Sequence, residues 1–173
     1  MPLLTYPLNR QTYSFDCGAD MLMSALLFCG IEEREDRVLA QARTGKAGTS
    51  IAGVLSVLRY YGLPFRAGRM TCDDLRRAVD AGHATLLTLQ AYRTSSRPYR
   101  ELWGDGHWVG CIGYQTPGRF YFEDPSAFHR TWLAERELIE RWHDVDRGRR
   151  IRRWGCTLLV QGRYRPGAIA HMD

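Results

Sequence analysis

At 173 residues the chain has the length of one domain, and 45% hydrophobic with 25% charged side chains is close to the average of folded soluble proteins, which excludes wholesale disorder. No run of about 18 apolar residues occurs, so no helix is expected to insert in a membrane. The formal net charge of +5 raises a nucleic-acid reading. However, no aromatic-rich binding module surrounds the densest basic cluster (Arg147, Arg149, Arg150, Arg152 and Arg153), which reads as a solvated loop, so no nucleic-acid partner is expected.

In chain order, residues Asp16 to Phe28 read as a helix that starts at a short polar residue and stops at Gly30. Glu32 to Arg43 is a second helical stretch, acidic early and basic late, as the helix dipole favours. Thr49 or Ser50 caps a third, with Ile51, Val54, Leu55, Val57 and Leu58 at helical spacing. Leu63 to Arg69 is a short strand, and Thr71 with Asp74 forms a capping box for a fourth helix closing at Gly82. Ala84 to Ala91 is an apolar strand. His107 to Tyr114 and Arg119 to Asp124 flank Gln115-Thr116-Pro117-Gly118 as a hairpin. Leu133 to Trp142 is a helix and Cys156 to Gln161 a last strand. Helices first and an antiparallel sheet later predict an α+β fold, and with no repeat or linker residues 1–173 read as one domain.

Five widely spaced cysteines (17, 29, 72, 111, 156) without a Cys-x-x-Cys pair, and a start without a basic-then-apolar leader, predict reduced thiols and a cytoplasmic location. Cys17 stands out. It opens a strongly apolar helix, where the partial positive charge of the helix start favours the thiolate, and Gly18 beside it leaves room for a substrate carbonyl. An isolated cysteine of this kind is usually a small buried hydrophobe, so the case rests on its partners.

The hairpin supplies them. With an even-length turn over Gln115 to Gly118, paired numbers sum to 233, and His107, Val109, Asp124 and Ser126 share one face of the sheet. His107 and Asp124 are then diagonal neighbours about 7–8 Å apart at the backbone, within side-chain reach. An imidazole backed by a carboxylate is oriented and made a better base. A one-residue bulge would flip one partner to the other face. Gln11, six residues before the cysteine, is an amide donor for the oxyanion formed when a thiolate attacks a carbonyl, with the backbone N–H of Cys17 as a second donor.

The run Gln11-x5-Cys17-Gly-Ala-x-Met-Leu-Met, then Gly48-Thr49-Ser50-Ile51, Gly106-His107-Trp-Val-Gly-Cys-Ile-Gly113-Tyr and Glu123-Asp124-Pro125-Ser126 resembles the bacteriocin-processing (double-glycine leader) cysteine peptidases of the papain-like superfamily. The resemblance runs from Gln11 to about Trp142. It implies a papain-like fold with N-terminal helices packed on a C-terminal antiparallel sheet. It also implies Cys17 as nucleophile, His107 as general base and acid, Asp124 as its orienter and Gln11 as oxyanion donor. The family cuts leader peptides after a Gly-Gly-type pair, and its better-known members are cytosolic N-terminal domains of peptide exporters. No transporter segment follows here, so a stand-alone member is expected, with a peptide or protein substrate and a separately encoded exporter as a possible partner.

Other signals are weaker. Thr44-Gly-Lys46-Ala-Gly-Thr-Ser lacks the order of a phosphate loop. His83, His129, His143 and His171 stand alone, so no metal and no cofactor are expected. Of the five tryptophans, Trp108, beside the proposed base, is the candidate for lining a substrate cleft, and residues 92–106 read either as a loop over the site or as a plain connection. The expected chemistry is peptide or amide cleavage through a thioester. An acyltransferase using an amine acceptor, or a silent peptide-binding module, are the competing readings.

Overall fold

A computed structural model describes residues 1–167; His171 lies outside the described residues. Helix α1 (Cys17–Phe28) follows Asp16 and ends where Gly30 takes a left-handed φ of +82°, a turn that glycine makes without a Cβ clash. Ten of its twelve residues are buried, which is why its sequence is apolar on almost every side. Helices α2 (Glu35–Ala42) and α3 (Ile51–Tyr60) pack beside it. Ser50, rather than Thr49, caps α3, its Oγ accepting from the Gly53 N–H at 3.1 Å. Strand β1 (Phe65–Arg69) precedes helix α4 (Cys72–Asp80), which carries the expected Thr71–Asp74 capping box.

The remaining elements are strands β2 (Thr85–Gln90), β3 (Gly106–Gln115), β4 (Arg119–Glu123) and β5 (Thr131–Ala134), helix α5 (Glu135–Arg141), and strands β6 (His143–Asp146), β7 (Arg149–Arg152) and β8 (Trp154–Leu158). Six strands form an antiparallel sheet in the order β1-β8-β2-β3-β4-β5, while β6 and β7 form a separate two-stranded ribbon. Strand residues alternate between two cores. Leu86, Trp108, Ile112, Cys156 and Leu158 join α1, α2 and α3 on one face. Leu87, Leu89, Val109, Cys111, Phe120 and Phe122 join Leu75 and Val79 of α4 and Leu138 of α5 on the other. Each fully buried side chain of this size is worth about 1.5–3 kcal/mol relative to exposure, so both faces of the sheet are firmly held. The α+β class is as expected, with α4 and α5 adding a second helical layer.

Three expectations need correction. The hairpin turn is odd, because Gln115 pairs with Arg119 and leaves Thr116, Pro117 and Gly118 between them. The register changes between Cys111 and Gly113, where Ile112 bulges, and from Cys111↔Phe122 onward the paired numbers sum to 233 as the even turn predicted. The predicted helix from Leu133 instead begins at Glu135, after β5; the ladder of Thr131–Ala134 to β4 makes a strand there. Finally, the arginine cluster is not a loop: Arg149–Arg152 is a strand paired with His143–Asp146.

Candidate active site

The site begins with the segment entering α1. Asp16 is buried and its Oδ2 accepts from the backbone N–H groups of Thr12 (3.2 Å) and Tyr13 (3.0 Å), so one carboxylate folds the loop into a tight arc. That arc delivers Cys17 as the first residue of the helix, beside its free N–H groups. Cys17 is 8% exposed. The other four thiols are buried as well, and burial pushes Cys29 and Cys72 up to about 11 and Cys111 and Cys156 up to about 12, which leaves them protonated and unreactive.

His107 and Asp124 meet as predicted. Nε2 of His107 lies 2.8 Å from Oδ1 of Asp124, and both side chains are buried. Burial opposes a charged imidazole, but the hydrogen bonds to Asp124 and to Cys17, with the charges of both, override it and raise His107 to about 9. With Nε2 committed to Asp124, Nδ1 is the ring nitrogen free toward Cys17. Asp124 is held below its ordinary value despite its burial, chiefly by the hydrogen bond and charge of His107, then by the hydrogen bonds of Tyr92 and the Ser126 N–H.

Tyr92 has no motif around it and was not expected at the site. Its hydroxyl donates to Oδ2 of Asp124 at 2.5 Å, and its ring meets the His107 ring edge to face at 5.5 Å. It stands directly after β2 and Ala91 with a left-handed φ of +52°, and within the 92–105 connection Tyr92 is the residue that meets the histidine and aspartate. Asp124 also accepts from the Ser126 N–H at 2.9 Å.

Gln11 is brought to the same loop. Its N–H donates to the Pro125 carbonyl (3.0 Å), and its Oε1 accepts from Ser126 Oγ (2.7 Å). Its Nε2 donates to the Tyr13 carbonyl at 2.8 Å. Beside it Arg10 pairs with the buried Glu123 at 2.8 Å and reaches the Asp124 carbonyl at 3.3 Å. Residues 10–11 and 123–126 are therefore sewn together, which ties the start of α1 to the carboxylate end of β4.

Gly18 and Trp108 differ from expectation in one respect. A Cβ on Gly18 would lie 2.6 Å from Thr49 Cβ and 2.8 Å from Trp108 Cδ1. The space left by the missing side chain is filled by protein, so Gly18 serves close packing rather than leaving room for a carbonyl. Trp108, whose Nε1 donates to the Thr49 carbonyl at 2.9 Å, does line a cleft. This cleft, of about 410 Å³, runs from Cys17 between the start of α3 and the β6–β7 ribbon, with Thr88, Trp103, Gly106 and Asp144 among its walls. A Cβ on Gly106, the residue before His107, would collide with the Asp144 carboxylate. Among the described residues no group of three or more His, Cys, Asp or Glu side chains is placed to hold a metal ion, and no helix is long and apolar enough to cross a membrane.

Neither a family model nor a curated protein matches the chain by sequence. Solved structures do match by shape. The peptidase domain of Streptococcus ComA, a bi-functional ABC transporter involved in a quorum sensing pathway, superposes with a TM-score of 0.66 at 16% identity, covering 90% of this chain and 99% of that one. A double glycine motif protease from an AMS/PCAT transporter, in complex with its leader peptide, gives 0.61 at 17% identity over 90% and 91%. A C39-like peptidase from Bacillus anthracis gives 0.70 at 12% identity over 93% and 98%. The chain has the α+β fold of these peptidase domains.

Proposed function

We propose that the chain is a cysteine peptidase in which Cys17, His107 and Asp124 act as one unit. The observation that carries this is the buried 2.8 Å contact between His107 and Asp124, with Cys17 at a helix start on the cleft that Trp108, the neighbour of His107, also lines. The thiol proton passes to Nδ1 of His107, leaving a thiolate and an imidazolium whose charge Asp124 stabilises through Nε2–H. The thiolate attacks the scissile carbonyl carbon, and the carbonyl π electrons move to oxygen. When the tetrahedral adduct collapses, the C–N bond breaks, the imidazolium protonates the leaving amine, and a thioester remains on Cys17. Water, losing its proton to His107, then attacks the thioester carbonyl carbon; the C–S bond breaks, the acid leaves, and the proton on His107 returns to the Cys17 sulfur.

The oxyanion is assigned two donors, the Cys17 N–H at the helix start and the Nε2 of Gln11, which carries a second hydrogen beyond the one given to Tyr13. Trp108 forms a wall for the substrate chain. Gly18 supports the site by letting Thr49 and Trp108 close on the helix start.

The substrate is read as an extended peptide with small residues at the cut, by likeness to a double glycine motif protease whose complex holds a leader peptide. The same likeness supports a leader-bearing precursor as the substrate. The test is an unbiased peptide-library digest by the protein and by Cys17→Ala, with intact mass measured after a peptide ester is added. Cleavage after small residues by the parent only, with an acyl adduct on Cys17, is the expected result. Equal cleavage by both proteins, or an adduct elsewhere, would overturn the assignment.

A further inference from the structure

The arginines at the mouth of the cleft have no role in the chemistry above. Arg43 and Arg147 line it directly, and both stand at left-handed backbone positions (φ +53° and +48°) where glycine would be less strained. Arg150 and Arg152, alternate residues of β7, place their guanidinium carbons 4.5 and 4.9 Å from the centre of the Trp103 ring, which is itself part of the wall. Stacking fixes a guanidinium while leaving its N–H groups free to bind a carboxylate. Among the described residues none of these four arginines forms an ion pair, whereas Arg34 and Arg37 at α2, Arg76 and Arg77 in α4, and Arg136 and Arg141 in α5 do.

Two carboxylates share the cleft, and both are turned toward donors of the fold. Asp144 accepts from Thr88, Gln90 and the Val145 N–H, and Asp146 accepts from the Ile51 N–H at 2.9 Å. Among the described residues neither forms a salt bridge with the rim, where Arg147 instead donates to Ser50 Oγ at 3.4 Å.

We propose that this arginine rim is a subsite for acidic side chains, so that the substrate is a peptide carrying Asp or Glu close to its small-residue cleavage site. This rests on the peptidase reading and names its substrate class. Guanidinium forks match carboxylates in a bidentate geometry, and a rim of like charge also draws an acidic chain into the cleft.

The test separates binding from turnover. Three fluorescent peptides, equal except for two flanking positions occupied by Glu, Gln or Lys, are bound to Cys17→Ala protein and digested by the parent, at 20 and 300 mM NaCl. The Glu peptide is expected to bind about 10-fold tighter than the Gln peptide at low salt, the size of two or three exposed ion pairs, and to lose that advantage at high salt. In Arg147→Glu/Arg150→Glu the Glu-to-Gln ratio falls below one and Lys becomes preferred; Arg150→Gln/Arg152→Gln gives an intermediate ratio. Because each ratio is internal to one protein, a loss of folded fraction does not mimic the effect. Equal binding of Glu and Gln peptides, or a preference untouched by the substitutions, overturns the proposal. So does a single-stranded oligonucleotide of equal charge binding more tightly than the Glu peptide. Selective binding without cleavage of any peptide by the parent would instead leave the rim standing and remove the peptidase reading.

Discussion

His107 lies on β3 and Asp124 directly follows the neighbouring β4, and the 2.8 Å contact between them exists because a three-residue turn and a bulge at Ile112 offset one another. The odd turn alone would shift the pairing by one residue and turn one partner away; the bulge shifts it back. Substituting Asp124→Asn keeps the shape but removes the charge and turns one of the two acceptor oxygens that serve His107 and Tyr92 into an amide donor. Activity per folded molecule is expected to fall by roughly 10²–10⁴-fold, and His107, freed of its anion, to titrate well below about 9. Steady-state kinetics and an NMR titration of the imidazole check both.

Tyr92 acts on the same carboxylate from the other side. Removing its hydroxyl in Tyr92→Phe takes one donor from Asp124, a loss of about 1 kcal/mol or about 5-fold in rate, while the Ser126 N–H and His107 still hold the carboxylate. With one donor fewer the carboxylate is more basic, so the His107 midpoint is expected to rise. A fall of the midpoint, or no change in rate, would remove Tyr92 from the relay.

Stability should depend on pH through the same histidine. Its folded-state pKa of about 9 lies above the ordinary value of 6.5, so the protonated ring favours the folded state. That contribution, on the order of 3 kcal/mol by linkage, is complete below about pH 6.5 and is lost as pH rises through about 9. Urea denaturation between pH 6.5 and 9 should show a falling midpoint that flattens in His107→Gln.

Gly18→Ala tests the close approach at the helix start. The added methyl meets Thr49 and Trp108 at 2.6–2.8 Å, and Thr49 is in turn held by the Trp108 Nε1 on its carbonyl. Overpacking of this kind costs about 1–3 kcal/mol, read as a lowered Tm, and it displaces the wall beside Cys17.

Much of this was legible from residue order alone. The helix of Cys17 announced itself by an apolar run ending at a glycine, and Thr71 with Asp74 formed the box their spacing promised. The histidine and aspartate were found through a register that was right at the site although wrong at the turn, since a period of two cannot reveal a bulge that restores it. Other parts depended on tertiary contacts that no local pattern encodes. Tyr92, at a left-handed backbone position, meets Asp124 across 32 positions, and nothing near it in the chain marks that geometry. The arginine-rich β7 is polar and mostly exposed, so it lacks the apolar alternation that signals a strand, and it is held instead by pairing with β6. Gly18 looked like an opening because sequence cannot show that Thr49 and Trp108 fill it.

The central claim, that Cys17 carries an activated sulfur, is tested most directly by alkylation with iodoacetamide across pH 5–9, with each cysteine quantified by mass spectrometry. Cys17 is expected to react well before Cys29, Cys72, Cys111 and Cys156, whose burial holds them at about 11 to 12, and to lose its advantage in His107→Gln. Equal, slow labelling of all five, unchanged by loss of the imidazole, would contradict the account.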